Sequence, residues 1–119
     1  MVFYAPRVTT DLIINCLKTT KHHCHKIMLW QTLTTPLPSN ERQHDPLIKS
    51  MRKLYNSADD LIHDLSKNPL ENDVVRIELL LTIHQRTNDY LEGIIKDQKI
   101  ELSTGDFYLV AVKEDPFDF

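Results

Sequence analysis

A chain of 119 residues with 41% hydrophobic and 26% charged side chains is long enough for one domain with its own core, needing neither disulfides nor metal to hold it. Two glycines, Gly93 and Gly105, are too few for the Gly-rich loops that cradle phosphates or dinucleotides, and no apolar run nears the roughly 20 residues of a membrane-spanning helix. The net charge of −3 hides a split in which residues 1–53 carry +5 and four of the six histidines while residues 54–119 carry −8, so the halves complement each other or the front offers a basic surface to nucleic acid or an acidic partner.

Residues 1–9 combine Phe3, Tyr4 and Pro6 without a helical period and are expected to run as an extended arm. Thr9 or Thr10 then caps a first helix over 10–33, in which Ile13, Cys16, Leu17, Cys24, Ile27 and Met28 follow the i, i+3, i+4, i+7 rule and Thr20 fills the gap. Lys18, Lys21, His22, His25 and Lys26 form a basic back. Leu29 projects into that back and hints at a second contact surface. Cys16 and Cys24 are eight apart on this helix, about 12 Å at 1.5 Å per residue, beyond the span of a disulfide. Both read as free thiols, which suits a reducing compartment and an intracellular, cytoplasmic protein, without excluding the nucleus. The N-terminus shows no basic segment leading into an apolar run with a cleavage site, in keeping with an unsecreted chain.

Residues 34–46 hold three prolines and no period and form a loop. Asp45 caps and Pro46 opens the second helix, 45–67, where Leu47, Met51, Leu54, Ala58, Leu61 and Leu65 recur at spacings of 4, 3, 4, 3, 4. Asn68, in a left-handed cap position, and Pro69 end it. The short link that follows predicts an antiparallel helix pair.

The third helix, 72–99, has the widest apolar arc: Ile77, Leu80, Leu81, Leu91, Ile94 and Ile95, flanked by Leu79, Ile83, Tyr90 and Val74. A helix so apolar needs cover on more than one side, which predicts that it stands at the centre of the bundle. Strand formers on both sides of Ser103-Thr104-Gly105-Asp106 predict a β-hairpin over 99–112, followed by an acidic tail, 113–119, with Phe117 and Phe119. Asp115-Pro116-Phe117 resembles the Asp-Pro-Phe peptides bound by endocytic adaptor appendages; more simply, the phenylalanines fold back or anchor the tail in a partner groove.

Chemistry is sparse. His22-His23-Cys24-His25 with Cys16 supplies zinc-type ligands but matches no zinc spacing, and reads as core thiols beside solvated histidines. His44-Asp45 and His63-Asp64 are the dipeptides of metal-dependent phosphohydrolases of the HD type, yet they also fit a helix cap and a polar helix edge. His84 interrupts the apolar arc of the third helix and reads as a buried neutral imidazole bonded to a carbonyl or hydroxyl such as that of Tyr55.

The residues therefore predict a mainly α single domain over 1–119, a three-helix bundle with a C-terminal β-hairpin, becoming α+β if the N-terminal segment pairs with it. The function expected is that of a small non-catalytic interaction or regulatory subunit that oligomerises or assembles with a protein partner through Leu29, Leu79, Ile83, Tyr90, Phe107, Phe117 and Phe119. No catalytic residue, metal, cofactor, small-molecule substrate or membrane is implied. The alternatives are a nucleic-acid-binding module using Lys18, Lys21, His22, His25 and Lys26, and a metal-dependent helical phosphohydrolase.

Overall fold

A computed structural model of the chain describes residues 6–35, 41, 44–70 and 73–101. They form three helices: α1 (Pro6–Thr34), α2 (Pro46–Lys67) and α3 (Val74–Asp97). The chain is mainly α over these residues. Most of the expected hairpin, with Phe107, and the tail with Phe117 and Phe119 lie outside them.

α1 begins at Pro6, so the arm expected over residues 1–9 is helical from its sixth residue. Proline suits the first helical position, because its ring presets φ and the helix has no use for an amide hydrogen there. Thr10, expected as the cap of α1, lies inside the helix and caps a different segment. Its buried hydroxyl accepts from the Leu70 amide at 3.1 Å and stands 3.4 Å from the Leu70 carbonyl, pinning the α2–α3 connection to α1. The threonines of α1 are weak helix formers. Thr19, Thr20, Thr32 and Thr34 each return their hydroxyl to the carbonyl four residues earlier, at 2.7–3.2 Å, so these polar groups are satisfied within the helix.

Asp45 caps α2 as expected: its Oδ1 accepts from the Leu47 and Ile48 amides at 3.0 and 3.1 Å, and Gln31 of α1 donates to its Oδ2 at 3.1 Å. Asn68 ends α2 at φ −126°, not in the left-handed region, because its amide still bonds the Asp64 carbonyl and Pro69 alone is enough to stop the helix. Asp73 caps α3 through the Arg76 amide. At the far end Lys99 takes φ 51° while its amide bonds the Lys96 carbonyl and the Ile100 amide bonds the Ile95 carbonyl. This is the paired closure of a Schellman motif, with Ile100 folded into the core. Lys99 and Ile100, expected to open the first strand of the hairpin, thus close a helix instead.

The order of contacts sets the directions. Thr10 meets Leu70, Lys21 meets Asp59 and Gln31 meets Asp45, so α1 and α2 are antiparallel; Thr20 meets Asn88 and His23 meets Glu92, so α1 and α3 are parallel. α2 and α3 therefore run in opposite directions, as their short link implied. Both pack along α1, and no comparable backbone approach joins α2 to α3 among the described residues. The central helix is α1, not α3. The reason lies in the buried arcs: α1 buries a face broad enough for both neighbours, from Ile27 and Thr20 round to Met28, whereas α3 buries one side and leaves the other to solvent.

The core has two apolar clusters. One joins Ile13 and Leu17 to Ala58, Leu65 and Ile77; the other joins Cys24, Ile27 and Met28 to Ile48, Met51, Leu91 and Ile100. Burying each large side chain contributes about 1.5–3 kcal/mol before entropy is counted. Between the clusters, Thr20 of α1 and Asn88 of α3 form a buried polar layer.

Candidate functional site

The basic back expected on α1 is not one open surface. Lys18 and His22 are exposed, His25 and Lys26 are half-buried, and Lys21 is turned toward α2. The Lys21 ammonium lies 2.6 Å from Asp59 Oδ1 and 4.9 Å from the centre of the Tyr55 ring. Burial works against the charged Lys21, but the Asp59 hydrogen bond and the neighbouring Tyr55 and Asp59 outweigh it and raise its pKa. The hydrogen bond from Lys21 in turn holds the Asp59 carboxyl below its ordinary range. Leu29, expected to offer a second contact surface, is 1% exposed. The leucine is therefore buried and offers no open contact surface, although it lies between Lys18 and His22 on the helical wheel.

The His/Cys cluster is dispersed by the helix that carries it. Cys24 is core, and burial pushes its thiol up to about 12, leaving it protonated and a poor nucleophile or ligand. Cys16 is half-buried; burial raises its thiol more than the Asn88 hydrogen bond lowers it, and Asp89 adds to the rise. His23 pairs with Glu92 of α3 at 3.3 Å. Among the described residues no three His, Cys, Asp or Glu side chains stand together in a way that could hold a metal ion.

The two His-Asp pairs do not converge. His44-Asp45 precedes α2 and His63-Asp64 lies near its end, about 27 Å away at 1.5 Å per residue. His63 Nδ1 is 2.8 Å from the Asp59 carbonyl one turn earlier. His84 is half-buried on α3 with Nε2 buried and without a hydrogen-bond partner among the described residues, so the hydrogen bond expected for this ring is not made there. Desolvation lowers its pKa and favours the neutral ring.

A cleft of about 660 Å³ opens where α2 turns into α3. Leu61, Leu65, Leu70 and Leu80 form its apolar wall, with Asp64, Asp73 and Arg76 exposed around it. It holds no nucleophile paired with a base among the described residues, and suits apolar contact better than bond-making chemistry.

Most of the exposed large apolar side chains among the described residues lie on α3. Val75 is 77% exposed, Leu79 58%, Ile83 46% and Tyr90 68%. At about 100° per residue they fall, with Arg86, within an arc of about 80° directed away from Ile77, Asn88 and Leu91, which face the core. Leu79, Ile83 and Tyr90 of the expected contact set are thus brought onto one accessible line. Val75 belongs with them; its spacing of four before Leu79 was the signal. No described helix of the chain is long and apolar enough to cross a membrane.

Comparison of the chain with protein-family models, with curated proteins and with solved structures gave no match. The geometry of the described residues is therefore what a functional reading rests on.

Proposed function

We propose that this chain is a non-catalytic interaction subunit that assembles through the outer face of α3. One observation carries the reading: Val75, Leu79, Ile83 and Tyr90 stay exposed in line on a helix whose opposite side packs through Ile77, Asn88 and Leu91. Four large apolar side chains turned to water in a row cost solvation that a partner surface would recover, whereas apolar residues scattered singly would need no explanation. Tyrosine and arginine, here Tyr90 and Arg86, are also enriched at interface centres.

Site-directed photocrosslinking tests it. Benzoylphenylalanine is placed at Leu79, at Tyr90 and, as a control on the outer side of α2, at Asp60, in cells that express the chain natively. Covalent adducts at positions 79 and 90 but not at 60 are expected. Absence of adducts at both α3 positions, or equal crosslinking from position 60, overturns the reading.

A further inference from the structure

The charges bordering the outer stripe of α3 indicate what covers it. Glu78 lies on one flank of the stripe, Arg76 on the other, and Arg86 within it; none of the three has an ion-pair partner among the described residues. A partner that satisfied them needs an acid beside Arg86, a base beside Glu78 and an aromatic or acidic group over Arg76. This helix itself presents that set.

We propose that the outer face of α3 pairs with the same face of a second copy of the chain, the two helices running antiparallel about a two-fold axis that passes beside Thr82 and Ile83. The proposal rests on the assembly reading and names its partner. A two-fold axis perpendicular to both helices reverses direction while keeping each flank against the same flank of the other copy. Val75 then stands level with Tyr90 of the second copy, and Leu79 with Arg86. The Arg86 stem covers Leu79 and its guanidinium reaches Glu78 of the second copy on their shared flank. On the other flank Arg76 meets the ring of Tyr90. Symmetry makes every contact twice. In a parallel pair the two-fold axis runs along the helices and sets each flank against the opposite flank, so Arg86, close to the middle of the stripe, faces Arg86 of the second copy far from Glu78, and like charges oppose it there.

Sedimentation velocity over a range of concentrations, on the full chain at low and moderate salt, tests the proposal, with circular dichroism confirming that each variant is helical. The wild type is expected to dimerise and Leu79→Asp to be monomeric. Glu78→Arg and Arg86→Glu are each expected to weaken the dimer about tenfold at low salt, since each reversal turns two rim pairs repulsive. The double variant Glu78→Arg/Arg86→Glu restores opposite charges and is expected to return within about threefold of wild type. A dimer that survives Leu79→Asp overturns this face, and a double variant no tighter than either single one overturns the register. A chain that is monomeric at every concentration overturns self-pairing altogether. In each of these cases the assembly reading is judged separately, by whether the adducts at positions 79 and 90 contain a different protein.

Discussion

Thr20 of α1 and Asn88 of α3 share a buried hydrogen bond of 2.6 Å between hydroxyl and side-chain carbonyl, at the level that separates the two apolar clusters. The Asn88 amide donates to the Cys16 carbonyl at 2.9 Å and to its sulfur at 3.2 Å, while the Thr20 hydroxyl has the same carbonyl within 3.2 Å. A polar layer satisfied in this way opposes sliding, because a shift of one turn places the amide against Leu17 or Cys24. Asn88→Ala removes the bonds and leaves a small cavity, and is expected to lower unfolding free energy by about 2 kcal/mol. Asn88→Leu is expected to lose less, because the Thr20 hydroxyl keeps its acceptor in α1. Urea denaturation of both variants checks this, and an Asn88→Ala midpoint equal to wild type would show that the layer adds nothing.

His84 ties stability to pH. Burial sets its folded pKa below the ordinary 6.5, so between the two values the unfolded chain binds the proton that the folded chain refuses. Stability is expected to hold above about pH 6.5 and to fall as pH drops through the folded pKa. His84→Leu removes the titrating group and the partnerless buried nitrogen together. The difference in unfolding free energy between His84→Leu and wild type is therefore expected to grow on going from pH 7.5 to pH 5. A difference independent of pH would remove His84 from the account.

Lys21 and Asp59 join α1 to α2 at a level where both side chains still meet solvent. Screening keeps such a pair near 0.5 kcal/mol, so Asp59→Asn is expected to cost about that much at neutral pH. The folded pKa of Asp59 is depressed below the ordinary 3.8, so the contribution is present above that pH and disappears as pH falls through the folded value. Guanidinium denaturation at neutral pH is unsuitable because the denaturant is itself a salt; urea melts of wild type and Asp59→Asn at pH 7 and pH 2.5 compare the two, with convergence expected at the lower pH.

Two positions in and after α3 call for opposite changes. Gly93 has helical backbone, and a Cβ built on it meets nothing within 4 Å. Gly93→Ala is expected to stabilise by about 0.5–1 kcal/mol by restricting the unfolded chain. Lys99 takes φ 51° with an exposed side chain. Lys99→Gly is expected to stabilise by roughly 0.5–1 kcal/mol, because glycine adopts the left-handed cap without strain. Thermal melts showing both variants above wild type confirm the pair; a fall for Gly93→Ala would mean that this surface is covered closely in solution.

The three helices and most of their ends were legible in the residues, because periodicity and capping depend on neighbours a few positions away. Asp45 with Pro46 and the 4, 3, 4, 3, 4 spacing of α2 needed no knowledge of the rest of the chain, and its observed bounds agree with that reading to a residue. Boundaries failed where a long-range contact intervened. Thr10 looks like a cap in isolation, but α1 extends past it and its hydroxyl is used by Leu70, sixty residues on. Lys99 and Ile100 look like strand because lysine before a β-branched residue carries no sign that the latter will fold back onto Ile95 and the core.

Leu79, Ile83 and Tyr90 could be picked out as candidate contacts from a helix too apolar for one buried side. Which side would be buried was not written in the helix itself. α1 and α3 both have broad apolar arcs, and local periodicity measures the width of an arc without saying what it meets. Packing decided between them: α2 and α3 both found their complement on α1, drawing Lys21 toward α2 and leaving the back of α3 outside. Sequence thus determined three amphipathic helices and their caps through local forces, while the choice of the central helix, the Thr20–Asn88 layer and the exposed face depended on side chains far apart in the chain meeting in space.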